Sequence, residues 1–522
     1  MKDFFNASWV GHRMERINNI LVLFILVITC LKLTLIGKGF LAFPDEFIYR
    51  SSERALKSLL NGDARSALYE IFSTQGRPGE ALVKMIPCAF QMVTASVFNV
   101  SYAENTYPMF FFNFIVHCLL LLVHYKFSKL LLKDKFLALT SLLLYTALTN
   151  SFIYLRHILP YDTSLLVFYY VLYRVVKGTD SGNLKLMSSF FLGLLSFFGL
   201  VIYPGYFPLY LAGGAMLFFN KMDLQNLKNR FYNAGMFILG GTYCLILAEL
   251  ISNYSGRSYI ADSIILSGNI TQGSFEESFS FIIKYLFEVE GIPGMILATG
   301  VAGFLMIFSF KFNQGITASA IILLFALLFS IFISYACLGY FKHNVVFYGR
   351  LLHQYYPFLC LFTVFAFNGV LERVKRSKMF LMNVSGLFIV VFGINLWKYH
   401  QFSYPRDIAF RYNREYVISN RKLVFEYGTS VAAFPSEDEL IFPVQSEKKA
   451  NTFSEFTMVN FCYFYPAEDP SLYHEYIPGS GSTLISSGSY FLNNKAYQYE
   501  GFNIAERENI SGMNLHIKVY GK

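Results

Sequence analysis

Long apolar runs separated by short polar connections dominate the first three quarters of the chain. Eleven of these runs approach the length of about 20 apolar residues that a helix needs to cross a bilayer. They lie near residues 17–37, 108–126, 136–155, 159–176, 186–203, 206–220, 231–251, 292–310, 316–339, 351–370 and 380–397. Because only helices satisfy every backbone hydrogen bond of a single segment in lipid, the pattern predicts an all-α polytopic membrane protein with about 11 transmembrane helices, over residues 1–397.

A twelfth run, residues 80–100, is moderately apolar but contains Lys84 and Pro87. We interpret it as an interfacial or re-entrant helix rather than a crossing. With eleven crossings, six basic clusters all fall on the side of the N-terminus, and the positive-inside rule then places the N-terminus in the cytoplasm and the C-terminus outside. These clusters are Arg13/Arg16 and those within 126–135, 174–177, 221–230, 311 and 373–378.

Two segments outside the spans are long. The first outer loop, 38–107, has apolar positions at helical spacing among charges, which predicts amphipathic helices on the membrane. The tail, 398–522, is polar and contains the strand-like runs ELIFPV, TMVNFCYFY, TLISSGSYFL and NLHIKVYGK. This pattern predicts a small extracytoplasmic C-terminal α+β domain. No internal repeat of 20–50 residues is visible in the sequence.

Composition agrees with a membrane protein, since 55% of the 522 residues are hydrophobic and only 15% are charged. A single soluble core does not grow this large or this apolar. The net charge of +9 follows the predicted topology and forms no basic stripe, so no nucleic-acid partner is expected. Six of the seven cysteines lie in or beside apolar runs, and neither CxxC nor HExxH occurs, so we expect neither a disulfide framework nor a metal site.

The stretch FPDEFIYR, residues 43–50, follows the first span. It places Asp45 and Glu46 outside, close to the membrane surface. Carboxylates there could meet a substrate that is half lipid and half polar. The alternative is an ordinary loop turn or helix N-cap, because Asp before a helix caps it well.

Several further segments, in the same order along the chain, occupy the places of known motifs. QGRPGEALVKMIP contains Arg77, YLRHILPYDTSLLVFYY contains Arg156 and Asp162, and FYGRLLHQYYPFL contains Arg350 before a proline. Over roughly residues 17–370 the chain thereby resembles the GT-C type glycosyltransferases that use polyprenyl-phosphate sugars, such as the aminoarabinose transferases and protein O-mannosyltransferases. It departs from them in having Arg-Pro-Gly where His-Pro-Pro is usual, and in lacking a lysine within GLVIYPGY.

The resemblance implies Asp45 as the general base, with Glu46 orienting it, binding the acceptor or sharing the base role. It implies a cationic site for the donor phosphate and a polar substrate cleft, with no cofactor or metal. Our candidates for the phosphate are Arg350 first, then Arg156, His157 and His353; those for the cleft are Arg77, Asp162 and Tyr49. For each cation the alternative is a snorkelling side chain at a membrane edge.

Three ionisable groups receive structural interpretations, and one of them, Asp162, is also a cleft candidate. We expect Asp162 to pair with Arg156 across a Pro turn. His117 and His124 are interpreted as packed or interfacial side chains.

The function that these motifs predict is an inverting glycosyltransferase of the bacterial inner membrane, which transfers a sugar from polyprenyl phosphate to a glycan, lipid or protein acceptor outside. A transporter or flippase of lipid-linked glycans is one alternative. Such proteins usually show internal repeats or mid-membrane charges. An envelope glycan polymerase or ligase is the other, and it would not depend on the first-loop carboxylates.

Overall fold

The computed structural model describes residues 2–36, 48–72, 77–99, 107–157, 159–182, 184–219, 227–271, 278–312, 320–342, 349–371 and 377–401, together with five strands and residues 495 and 499 of the tail. Up to residue 401 the described chain is helical. The helices are α1 (Lys2–Lys32), α2 (Ile48–Leu60), α3 (Ala64–Phe72), α4 (Ala81–Phe98), α5 (Tyr107–Leu132), α6 (Lys135–Ala147), α7 (Tyr161–Ser181), α8 (Leu186–Ile202), α9 (Phe207–Phe219), α10 (Leu227–Tyr254), α11 (Tyr259–Thr271), α12 (Ser278–Tyr285), α13 (Ile292–Phe312), α14 (Ala320–Lys342), α15 (Gly349–His353), α16 (Tyr356–Leu371) and α17 (Ser377–Gln401).

Five stretches in the described part are helical, long and apolar enough to cross a membrane: Met14–Leu35, Ala81–Phe98, Tyr107–Leu132, Leu227–Tyr254 and Ser377–His400. They define a helical membrane protein. Four of them coincide with predicted spans. Each of the other seven predicted spans contains a helix that is not among these five stretches of the described residues, so eleven crossings and the direction of the chain stay predictions.

Helix α4 covers the segment interpreted as non-crossing, and it meets the same length and hydropathy criteria as the other four, so the interpretation of residues 80–100 stays a prediction. Its one lysine does not interrupt an apolar surface. Lys84 Nζ donates to Glu80 Oε1 at 2.9 Å, and both side chains are buried against the protein. The opposite face is a stripe of exposed apolar side chains: Leu82, Ile86, Phe90, Val93 and Val97.

The predicted span at 136–155 is broken rather than continuous. Helix α6 ends at Ala147, and the chain bends by 80° before the turns over Thr149–Leu155. Asp134 caps the start of α6 by accepting hydrogen bonds from the Phe136 and Leu137 amides, at 2.7 and 3.1 Å. All side chains from Phe136 to Ala147 are buried, which is typical of a helix at the centre of a bundle. It packs against α1, α5, α16 and α17.

Helices α8 and α10 cross at a seam made of glycines. A Cβ on Gly193 would overlap the Phe237 carbonyl oxygen, and a Cβ on Gly240 would overlap the Phe190 carbonyl oxygen. Small residues allow the two backbones to approach closely, which is how apolar helices associate when lipid removes the hydrophobic driving force.

The first loop forms the predicted helices. Ala55 on α2 is fully buried beside Ile71 and Phe72 of α3, while Leu59 and Leu60 are exposed. Ser52 Oγ donates to the Ala81 carbonyl at 2.8 Å and so joins α2 to the start of α4.

The tail contains β1 (Val424–Gly428), β2 (Ile441–Pro443), β3 (Thr457–Phe464), β4 (Thr483–Phe491) and β5 (Asn514–Gly521), in the order β2-β1-β3-β5-β4. Strands β2, β1 and β3 are parallel, and β3, β5 and β4 are antiparallel. Each predicted strand-like run overlaps a strand. The helical part of the predicted α+β domain lies outside the described residues. The tail reaches the helices through Lys495, which is 3.2 Å from Glu288, and through Tyr499, whose ring packs against Phe281 and Tyr285.

Candidate active site

A buried carboxylate, Asp162, is the centre of a polar network where α1, α5, α7 and α15 meet. It is the second residue of α7, and each of its oxygens bonds one imidazole. His117 Nδ1 of α5 lies 3.0 Å from Oδ2, and His353 Nε2 of α15 lies 2.7 Å from Oδ1. Both histidines are fully buried, and Asp162 is 8% exposed. Ionisable groups at such depth in a membrane protein are costly, and they usually mark function.

The network continues from His117 to Lys32, the last residue of α1. Lys32 Nζ lies 3.0 Å from His117 Nε2 and donates to Ser151 Oγ at 2.9 Å. Lys32 and Ser151 are buried. A buried lysine is therefore linked to the carboxylate through one imidazole, so opposite formal charges lie within a single hydrogen-bonded chain.

On its other side the network reaches the break after α6. His353 Nδ1 lies 2.6 Å from Asn150 Oδ1, and Asn150 Nδ2 donates to the Tyr285 hydroxyl at 2.9 Å. The amides of Thr149 and Asn150 both donate to the Glu290 carboxylate, each at 2.8 Å. They are the first two amides of the 3-10 turn Thr149–Ser151, which have no partner within that turn, and Glu290 satisfies them.

Glu290 ends the single π-helical turn Leu286–Glu290 between α12 and α13. Burial raises the pKa of its carboxyl from 4.5 to about 7, and the two backbone amides act in the opposite direction. We name the buried chain Lys32, His117, Asp162, His353, Asn150 and Glu290 the Asp162 network.

Arg350 lies beside this network on the five-residue helix α15. Its NH1 donates to the Tyr161 hydroxyl at 3.3 Å, and its carbonyl accepts from the Tyr206 hydroxyl at 3.2 Å. Tyr161 belongs to a cluster of edge-to-face rings with centroids 4.8 to 5.0 Å apart, which comprises Tyr154, Tyr161, Tyr203 and Tyr206. Arg350 itself is partly exposed, and its side chain lies beside the aromatic cluster.

An apolar cavity of about 370 Å³ opens between α12, α13, α14 and α16. Leu352 and Tyr355 belong to its wall, and they follow Arg350 by two and five residues. The rest of the wall is almost wholly apolar and includes Leu286, Phe325, Phe329, Phe332, Phe358 and Phe362. A guanidinium, a buried carboxylate and an apolar cavity thus occur around one short helix.

Of the sequence-predicted site residues, the structure brings Arg350, His353 and Asp162 together. Asp162 bonds His117 and His353. The side chain of its predicted partner, Arg156, lies outside the described residues, as do Asp45 and Glu46 and the side chain of Tyr49.

The two remaining predicted residues lie in other contacts. Arg77 precedes α4, and its NH1 is 3.5 Å from Glu80 Oε2. His157 is fully buried, and its carbonyl accepts from Asn113 Nδ2.

Sequence reasoning missed four members of the Asp162 network: Lys32, His117, Asn150 and Glu290. His117 had been interpreted as a packed or interfacial side chain. Lys32 carries a usable signal, since it is a lysine inside an apolar run. Asn150 and Glu290 carry none, because the bonds that matter join residues 140 positions apart.

Within the described residues, no group of three or more His, Cys, Asp or Glu side chains is placed to hold a metal ion. The Asp162 oxygens are both engaged by imidazoles, so the arrangement is a hydrogen-bonded chain.

These features define a helical membrane protein with a buried ionisable site beside an apolar cavity. No protein-family model and no curated protein matches the chain. Among solved structures, it is similar to the crystal structure of the Archaeoglobus fulgidus oligosaccharyltransferase complex with Zn and sulfate, at 12% sequence identity and a TM-score of 0.42. The match covers 78% of this chain and 60% of that one, so the chain spans less than two thirds of that protein.

Proposed function

We propose that the protein is an inverting glycosyltransferase, which moves a sugar from a polyprenyl-phosphate carrier to an acceptor on the extracytoplasmic face of the membrane. The observation that supports this best is the position of Arg350. Arg350 lies on the short helix α15, and Leu352 of the same helix is part of the wall of the apolar cavity. A phosphate attached to a long apolar chain needs a cation and an apolar cavity side by side.

Arg350 suits the donor phosphate because a guanidinium binds phosphate bidentately and keeps its charge when partly buried. Its bond to the Tyr161 hydroxyl holds the side chain beside α7. In the transfer step the bond between the anomeric carbon and the phosphate oxygen breaks, and polyprenyl phosphate leaves with its electron pair. A fixed cation stabilises that charge as it develops.

The cavity suits the carrier's isoprenoid chain near the phosphate. Its volume of about 370 Å³ falls within the range of small-molecule sites, roughly 300–1,000 Å³. Aromatic and aliphatic side chains form almost all of its wall, which suits an apolar chain.

The base of the reaction is Asp45 in this proposal, and Glu46 orients it or binds the acceptor. The assignment rests on the order of motifs along the sequence. The two carboxylates precede α2, which packs against α3 and α4. The acceptor hydroxyl loses its proton to Asp45 as its oxygen bonds the anomeric carbon, on the face opposite the leaving phosphate. The configuration at that carbon is therefore inverted.

The test measures sugar release from polyprenyl-phosphate sugars in detergent. We expect turnover by the wild type and a loss of at least about 10²-fold in Asp45→Asn, because positioned general bases contribute about that much. Glu46→Gln is assayed in parallel to decide which carboxylate is the base.

Arg350→Met tests the cation and should lower kcat/KM for the donor. Arg174→Met is its matched control, because Arg174 NH1 likewise donates to a tyrosine hydroxyl, that of Tyr170, at 2.7 Å on an exposed part of α7. The control should keep wild-type activity. A wild type that neither binds nor turns over any such donor refutes the proposal. Activity that survives in both carboxylate variants favours an envelope glycan polymerase or ligase.

The proposal also places the protein in a bacterial inner membrane, with its N-terminus in the cytoplasm and its C-terminus outside. Cysteines introduced as Lys2→Cys and Lys522→Cys should then react differently with a membrane-impermeant maleimide on intact cells. We expect labelling at residue 522 and protection at residue 2. Labelling at both ends or at neither contradicts an odd number of crossings. It would indicate an even number, as expected if α4 also crosses the membrane.

A further inference from the structure

We propose that His353 and Asp162 are positioning residues, which hold Arg350 in place, and that neither contacts the donor phosphate. The inference rests on the proposed function for the identity of the ligand that Arg350 binds. The positions of these side chains rest on the structure alone.

Helix α15 has only five residues, Gly349–His353. A helix this short has no stability of its own in isolation, because its nucleation costs more than its few hydrogen bonds return. The direction of the Arg350 side chain therefore depends on what anchors the two ends of α15.

Consecutive residues of α7 hold both ends. The Tyr161 hydroxyl accepts from Arg350 NH1 at 3.3 Å, and the Asp162 carboxylate lies 2.7 Å from His353 Nε2. Asp162 is itself held from the opposite side by His117 of α5, at 3.0 Å. Tyr161 and Asp162, in the first turn of α7, therefore hold α15 and the Arg350 side chain at two points. We call this pair of contacts the clamp.

The surroundings of His353 leave it no role as a phosphate ligand. Both ring nitrogens are engaged, Nδ1 at 2.6 Å from Asn150 Oδ1 and Nε2 at 2.7 Å from Asp162 Oδ1. Its ring packs edge-to-face with Tyr154 at 5.1 Å, and the residue is 0% exposed. A phosphate could reach the imidazole only by breaking both hydrogen bonds and displacing the Tyr154 ring.

A thiol at residue 350 removes the bond to Tyr161 and reports the other point of the clamp, His353 with Asp162, without any substrate. The rate at which Arg350→Cys reacts with a water-soluble methanethiosulfonate is followed by mass spectrometry of the peptide, alone and combined with His353→Gln or Asp162→Asn. Each second substitution changes one side of the buried hydrogen bond between His353 of α15 and Asp162 of α7, and we expect the rate to change by about tenfold.

His124→Gln is the matched control, since it replaces a second fully buried histidine of α5 that bonds Tyr169 and Ser141. It should leave the labelling rate unchanged. Equal rates in all backgrounds overturn the proposal. Two variants on opposite sides of the same hydrogen bond keep it testable if one of them does not fold, as judged by size-exclusion chromatography.

A double-mutant cycle on the donor separates positioning from direct binding. If His353 acts through Arg350, adding His353→Gln to Arg350→Met leaves kcat/KM for the donor unchanged. A further loss in the double variant shows an independent contact and overturns the proposal. A wild type without turnover would refute the proposed function, and the labelling rates would still decide the clamp.

Discussion

Helices α5 and α7 are joined by two buried histidine contacts, one above the other. His117 bonds Asp162, and His124 lies 3.0 Å from the Tyr169 hydroxyl. His124 follows His117 by seven residues, and Tyr169 follows Asp162 by seven. Seven residues are about two helical turns, so the second contact lies on the same helix faces as the first. Both histidines are fully buried. The geometry is repeated, and the chemistry is not.

The two contacts differ in the side chains that other helices, besides α5 and α7, bring to each histidine contact. Lys32 and His353 approach the first, and they connect it to α1, α15 and the break after α6. Ser141 of α6 approaches the second, where its Oγ is 3.0 Å from His124 Nε2. The first contact is therefore ionisable and adjacent to Arg350, and the second is built of neutral partners. The two histidines lie on the same face of α5, so the difference in their surroundings comes from the residues that other helices place beside them.

The largest effect should come from deleting the carboxylate of the first contact. Asp162→Ala removes the carboxylate that His117 and His353 both bond, and it leaves the formal charge of buried Lys32 without its counter-charge. Breaking such a buried group costs about 3–5 kcal/mol. The thermal midpoint in detergent, followed by size-exclusion chromatography, measures it against the wild type. A midpoint within a degree of wild type would show that the Asp162 network contributes nothing to stability.

A pH effect should follow at the far end of the same network. The folded pKa of Glu290 is raised to about 7, above its ordinary 4.5, so the folded state holds this proton more tightly than the unfolded chain does. Stability from this group is present below pH 4.5 and is lost as pH rises to about 7, by about 3 kcal/mol. In Glu290→Gln, the fall in thermal midpoint between pH 5 and 8 should shrink. An unchanged pH profile in the variant would remove Glu290 as its source.

Next in size is the coupling between Lys32 and Asp162. Removing both formal charges, in Lys32→Met with Asp162→Asn, avoids leaving either one buried alone. We expect the double variant to be more stable than the sum of the single losses implies, by about 2 kcal/mol. The cycle is measured on thermal midpoints. Additive losses would show that the intervening His117 does not couple the two groups.

The smallest effect belongs to the second contact. Tyr169→Phe removes one hydroxyl beside His124, whose other ring nitrogen keeps Ser141. The expected cost is about 1 kcal/mol, with transfer activity unchanged. A loss as large as that of Asp162→Ala would remove the contrast between the two contacts.

The sequence was sufficient for much of the fold. Apolar runs placed the helices, and four of the five stretches that qualify as crossings were predicted as spans. It was less reliable where a single feature was judged alone. Lys84 and Pro87 led to the interpretation of α4 as a non-crossing segment, and the sequence does not show that Glu80 pairs with that lysine on the buried face. The predicted span at 136–155 gave no sign of the break after Ala147.

For the candidate site, the sequence showed which ionisable residues to consider, and it did not show their hydrogen-bond partners. Asp162, His353 and Arg350 were chosen from the sequence, and Asp162 was expected to pair with Arg156, whose side chain lies outside the described residues, so that pairing stays a prediction. The structure gives it His117 and His353, which are 45 and 191 residues distant. Local sequence determined which ionisable groups would lie in apolar surroundings and so need a partner. Only the packing of α1, α5, α7 and α15 decided which partner each received, because a buried charge is satisfied by whichever polar group the neighbouring helices bring within hydrogen-bonding distance.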